Sequence, residues 1–141
     1  MAQEDNWRID HTAIGVADIH KSARFYDAAL GALGLRPIVR LTKKFQVAAK
    51  ADDPQLGGVG YGVDYPIFWI DAFHPHGVKQ HTAFRARERG EVEAFYEAAL
   101  SAGGRDNGAP GLRSGSYPPG YFAVFVINPD GNNIEAVFRE A

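Results

Sequence analysis

From residue 9 to residue 16, IDHTAIGV, side chains alternate between two faces. Asp10, Thr12, Ile14 and Val16 fall on one face; Ile9, His11, Ala13 and Gly15 fall on the other, as in a strand with one side packed. The period then lengthens. Ile19, Ala23, Tyr26 and Leu30 recur at helical spacing, which predicts an amphipathic helix running to about Gly31. Asp18 stands where an N-cap is expected. Strand-like runs follow at 36–41, 45–50 and 66–72, with Gly57, Gly58 and Gly60 between the last two. A connector, His74-Pro75-His76-Gly77, ends this half. The second half repeats the order. A strand begins at His81, and Val92, Tyr96 and Ala99 mark a helix that Gly103-Gly104 closes. After a Gly-, Pro- and Ser-rich stretch come a strand from Tyr121 to Ile127, the turn Asn128-Pro129-Asp130-Gly131, and a last strand from Asn133 to Phe138.

The halves match at a constant offset of 70 residues. His11-Thr12-Ala13 falls on His81-Thr82-Ala83, and Phe25-Tyr26-Asp27-Ala28-Ala29-Leu30 on Phe95-Tyr96-Glu97-Ala98-Ala99-Leu100. Ala32 then meets Ala102, and Gly34 meets Gly104. Two blocks in one ungapped frame imply an internal duplication. The paired aromatic and AAL segments read as core. Copies of about 65 to 70 residues are marginal alone, so the two sheets are expected to pack or pair as one domain.

Composition narrows the function. The chain has 141 residues, 45% hydrophobic, and a net charge of −2 with an isoelectric point near 6.2. There is no basic face to attract nucleic acid and no run of roughly 18 apolar residues to span a membrane. The start, MAQEDNW, is acidic and polar rather than basic and apolar, so a cytoplasmic location is expected. The absence of cysteine removes disulfides, thiolate metal sites and cysteine nucleophiles.

Candidate chemistry lies on the strand faces turned from the helices. Alternation sends His11 and Ala13 to that side in the first copy, and His81, Ala83 and Arg85 in the second. In the last strand Ile134, Ala136 and Phe138 face the core, which leaves Glu135 beside the histidines. Two imidazoles and a carboxylate on one concave face suit a divalent metal of the 2-His-1-carboxylate kind. The plainer alternative is that each histidine hydrogen-bonds within a core and Glu135 forms a surface ion pair.

Three segments carry a resemblance to a known family: IDHTAIGVADIHKSARFY around His11, QHTAFRA around His81, and the closing FVINPDGNNIEAVF. The chain resembles the vicinal oxygen chelate superfamily, which includes glyoxalase I, bleomycin-resistance proteins, fosfomycin-resistance enzymes and extradiol dioxygenases. Its D-P-D-G-x-x-I-E ending is matched except at Asn128. The resemblance implies an α+β fold in which residues 1–141 form one domain of tandem βαβββ modules, about 7–73 and 78–141. These would build a curved, partly open mixed-sheet barrel with helices outside. It further implies His11, His81 and Glu135 as ligands of Fe, Mn, Ni or Zn, a small-molecule substrate with vicinal oxygens, and a homodimer, sometimes with modules exchanged between chains. The expected activity is of lyase, dioxygenase or transferase type. The alternative is a metal-free binding or resistance protein using the same cup.

One departure bears on the reaction. The family often supplies a fourth ligand, a carboxylate on the last strand of the first module. Here Ile67, Phe68 and Trp69 are the candidates for that position, and none binds a metal; Asp64 and Asp71 flank the strand out of register. This argues against glyoxalase I itself.

Several residues are secondary. Trp69 and Tyr65, with Tyr61, are candidates to line an aromatic pocket, and Tyr117 or Tyr121 to donate a hydrogen bond or carry a proton; rim packing is the plainer reading. Arg85 and Arg139 share faces with His81 and Glu135 and are candidate anion partners, though solvated strand-end arginines explain them as well. His74 and His76 read as surface linker and His20 as solvent-facing. The stretch 103–120, with six glycines and three prolines, reads as a mobile lid over the cup.

Overall fold

The structure is a computed structural model that describes residues 8–47 and 50–140. It holds two strand–helix–three-strand units. The first comprises β1 (Thr12–Gly15), α1 (Ile19–Gly31), β2 (Arg36–Thr42), β3 (Leu56–Gly62) and β4 (Pro66–Asp71). The second comprises β5 (His81–Arg85), α2 (Arg89–Ser101), β6 (Arg105–Leu112), β7 (Tyr121–Ile127) and β8 (Asn133–Arg139). Each unit forms a mixed four-stranded sheet, β1-β4-β3-β2 and β5-β8-β7-β6, in which the first strand runs parallel to the last. The fold is α+β with two curved sheets that do not close into a barrel; β1, which His11 immediately precedes, and β5, which His81 begins, both lie at sheet edges. No described helix is long and apolar enough to cross a membrane.

The helices form where their patterns place them. Asp18 accepts a hydrogen bond from the Lys21 amide at 3.0 Å, satisfying one donor of the first turn. Phe25, Tyr26, Ala29 and Leu30 are then fully buried. In α2 the deeply buried aromatic is Phe95 rather than Tyr96, alongside Val92 and Ala99. Both helices and the inner faces of both sheets share one core. Phe68 of β4 meets Phe84 of β5 edge-on at 5.0 Å, and the Asn128 amide of the second unit donates to the Tyr26 hydroxyl of the first at 2.9 Å. Neither sheet could bury its inner face without the other unit.

Three expectations from the sequence change. Residues 45–50 form no strand among the described residues; Val47 makes one bridge to Leu41, and 48–49 lie outside the description. The strand is instead Leu56–Gly62, in which Gly57, Gly58 and Gly60 are members rather than spacers. Glycine's poor strand propensity is outweighed by pairing on both sides, to β2 and β4. Likewise Arg105–Leu112, read as part of a lid, is an edge strand paired to β7 with two register shifts. The connector is also more than a linker. His76 bridges Gly15, and the Gly77 amide donates to the Gly15 carbonyl at 3.0 Å.

Candidate functional site

The outer faces of the two sheets carry different chemistry. In the second sheet Ala83 pairs with Glu135 and His81 with Asn133, so His81 and Glu135 stand on neighbouring strands of one face. The His81 Nδ1 atom lies 2.8 Å from the Asn133 carbonyl oxygen. A carbonyl only accepts, so Nδ1 carries the proton. That aims Nε2 at the Glu135 Oε1 atom, 3.0 Å away. Both are acceptors when the imidazole is neutral, and a cation between or upon them, a proton or a metal ion, makes the contact favourable.

Glu135 is 2% exposed. Its other oxygen accepts from the Tyr121 hydroxyl at 2.5 Å. Burial above all, then that hydrogen bond, pushes the Tyr121 hydroxyl up to about 12. At neutral pH it stays protonated and donates rather than serving as a base. Tyr117 packs on Tyr121 with ring centroids 5.0 Å apart, and the Arg139 guanidinium lies 5.8 Å above the Tyr121 ring. Arg85 is exposed at the end of β5 and makes no ion pair among the described residues.

The first sheet repeats the backbone but not the donors. Ala13 pairs with Trp69 as Ala83 pairs with Glu135. Because Ala13 and Ala83 are related by the offset of 70, Trp69 occupies the carboxylate's position. Of the three residues open at that point in the sequence, the register selects Trp69. His11, just before β1, donates from Nδ1 to Asp10 Oδ2 at 2.6 Å, and the Tyr65 hydroxyl donates to the same oxygen at 2.9 Å. Those bonds hold the Asp10 carboxyl below its ordinary range and raise the Tyr65 hydroxyl. His11 keeps Nε2 for another partner. It lines a cleft of about 270 Å³ with Trp69, Tyr65, Pro66, Leu41, Phe45, Phe73 and Asp71.

Phe45 and Phe73 were not singled out by sequence, and Asp71, expected to flank the strand out of register, is instead the last residue of β4, paired with Gly15 and Gly58. Alternation from Trp69 places Asp71 on the same face, and this signal was available. Asp71 is 4% exposed and accepts from the Phe73 and His74 amides at 3.0 and 3.1 Å, and from His74 Nδ1 at 2.9 Å on both oxygens. His74 therefore braces the cleft floor, although its ring is mostly exposed. His20 is also engaged: Nε2 donates to the Asp53 carbonyl at 2.9 Å.

His81 and Glu135 fit a divalent metal: two donors about 3 Å apart match neighbouring positions around an ion at roughly 2.1 Å. His11 is not with them; among the described residues of one chain, no three His, Asp or Glu side chains gather as a metal requires.

Residues 8–136 match the model of the Glyoxalase/Bleomycin resistance protein/Dioxygenase superfamily. The chain belongs to that superfamily. Among solved superfamily structures, a glyoxalase/bleomycin resistance protein from Albidiferax ferrireducens T118 is 26% identical, with a TM-score of 0.69 over 93% of this chain and 98% of that one. A glyoxalase-related enzyme from Fulvimarina pelagi (20% identity, TM-score 0.61, 93% and 87% covered) and a lactoylglutathione lyase from Agrobacterium tumefaciens (17%, 0.58, 93% and 92%) share the fold. No curated relative matches the sequence. Within this chain, Trp69 of the first unit stands where the second unit carries Glu135.

Proposed function

We propose that the protein is a divalent-metal-dependent enzyme acting on a small substrate with two adjacent oxygens, of lyase, dioxygenase or transferase type. It works as a cytoplasmic homodimer whose chains, 1–141, are each one domain of two modules, about 7–73 and 78–141. The observation that carries this reading is the approach of His81 Nε2 to Glu135 Oε1, two acceptors 3.0 Å apart, the imidazole half-exposed and the carboxylate buried.

In this reading His81 and Glu135 of one chain hold the ion with His11 of a second copy, since β1 and β5 both lie at sheet edges. The ion, of Fe, Mn, Ni or Zn type, would act as a Lewis acid on the substrate oxygens. Asn133 fixes the His81 tautomer through its carbonyl. Tyr121 holds Glu135 by donating to its second oxygen, and Tyr117 covers that phenol. Arg85, which shares the His81 face of β5, would meet a substrate anion.

The test is subunit complementation. Wild-type protein takes up about one equivalent of metal per chain with a rise in melting temperature, and His81→Ala does neither. His11→Ala and Glu135→Ala each lack an intact site, yet their mixture recovers metal in one site per mixed dimer. Failure of the wild type to bind any of the four metals rejects the enzyme; binding in every variant with no gain on mixing rejects the shared site.

A second reading, a metal-free binding protein, is favoured by Trp69, which fills the first sheet's ligand position with an indole beside a cleft complete within one chain.

A further inference from the structure

We infer that the first sheet's cleft is a stacking site for a planar one- or two-ring aromatic compound carrying a hydrogen-bonding group at one edge. The inference deepens the metal-free reading, because every group it uses belongs to one chain and none to the His81–Glu135 pair.

The floor is flat because β3 withholds side chains from this face. Gly60 pairs with Trp69 and Gly58 with Asp71. A Cβ built on Gly60 would lie 2.8 Å from Trp69 Cε2 and Cζ2, a contact that real Cβ atoms do not make. The indole therefore lies down across the strand, with its other face turned outward. Phe73 does the same over Gly57, where a Cβ would come within 2.9 Å of Cζ. Both rings lie on the glycine strand, and because Phe45 stacks on Phe73 the platform left open is the Trp69 indole, with Leu41 and Pro66 as apolar borders.

A wall stands beside it. Phe45 is 67% exposed yet stacks on Phe73, with centroids 4.4 Å apart and planes at 27°. Its backbone has φ of 61°, a conformation that is strained for a bulky side chain. The chain thus holds a strained, solvent-facing phenyl parallel to the cleft's own ring.

Polar groups at the platform are few and mostly spent. Asp71 is filled by two amides and His74. Tyr65 and the His11 Nδ1 atom are taken by Asp10. What remains are His11 Nε2, at one edge, and the Trp69 indole N–H. A flat apolar body with one polar edge matches that distribution, and about 270 Å³ falls just below the roughly 300–1,000 Å³ of drug-sized pockets. Offset stacking on tryptophan rewards planarity over equal apolar volume.

Calorimetric titration with 2-naphthol and its saturated counterpart decahydro-2-naphthol tests this, since both carry the same hydroxyl and differ in planarity. The expected result is saturable binding of 2-naphthol, with decahydro-2-naphthol at least tenfold weaker. Trp69→Leu and Phe45→Ala each weaken 2-naphthol at least fivefold, and the exposed Phe45 position keeps the test valid if Trp69→Leu misfolds. Equal affinity for the two compounds, unchanged affinity in both variants, or no binding at millimolar 2-naphthol overturns the inference. Every titration is repeated with EDTA. An unmoved isotherm keeps this result separate from the fate of the metal, and loss of binding in EDTA counts against the stacking site.

Discussion

Asn128 occupies the position where the superfamily's ending carries Asp, and its replacement by alanine is expected to be among the costliest single changes in the chain. The side chain is 3% exposed. Its amide donates to the Tyr26 hydroxyl at 2.9 Å, and its oxygen accepts from the Asp130 and Asn132 amides at 3.0 and 2.9 Å. Tyr26 and Asn132 are both fully buried. Alanine would leave the Tyr26 oxygen and the Asn132 amide without partners or water. At about 1–3 kcal/mol for each such group, the loss is about 2–6 kcal/mol, against a total stability of roughly 5–15 kcal/mol. For a chain this size each kcal/mol corresponds to about 3–5 °C. Urea and thermal unfolding followed by circular dichroism would read the change. Asn128→Asp is the control: it keeps the acceptor for both amides, and the Tyr26 hydroxyl can turn to donate to it, so a loss within about 1 kcal/mol is expected. A loss below about 0.5 kcal/mol for alanine, or an aspartate variant as damaged as the alanine one, would refute the reasoning.

Two further outcomes follow from the same structure. Burial holds Tyr26 and Tyr61 above the ordinary tyrosine range and Tyr121 at about 12, whereas the unfolded chain ionises near pH 10. Their contribution to stability is thus fully present below about pH 10 and is lost as pH rises from there towards 12; Tyr121→Phe should flatten that alkaline decline and remove one late step from the absorbance titration, and an identical decline in both proteins would count against the Tyr121–Glu135 contact. Gly15→Ala would set a Cβ 2.3 Å from the Pro75 carbonyl oxygen and 2.5 Å from that of His74, so the connector must shift, at about 1–3 kcal/mol. Urea unfolding with wild-type stability would contradict the path drawn for the connector.

How much was readable in the chain depended on whether a residue answers to its neighbours or to a partner far away. The 3.6-residue stripe of Ile19, Ala23, Tyr26 and Leu30 and the Asp18 cap are local, and the helix they predict begins and ends where expected. The alternation of β8 placed Ile134 and Ala136 inward and Glu135 outward, and all three are buried on their respective sides. Strand β3 was opaque because a run of four glycines in seven residues carries no periodic hydrophobic signal; its partners, β2 and β4, hold it. Strand β6 was opaque for the same reason. The equivalence of Trp69 to Glu135 needed register, which alternation within one strand does not supply. Asp10 was assigned by alternation to the face opposite His11, yet the two bond, because residue 10 precedes the regular strand.

The glycine run of β3 has a consequence for variation. The strand's inner face carries Val59 and Tyr61, both sunk in the core, while its outer face is blank at Gly58 and Gly60. Stability is therefore written on one side of the sheet and whatever the sheet recognises on the other. The two can change at different rates. A designer seeking a new ligand could redraw residues 39, 41 and 69 around that blank strip as one would change the type in a fixed frame, leaving the frame and the Asp71 carboxylate that braces the connector untouched.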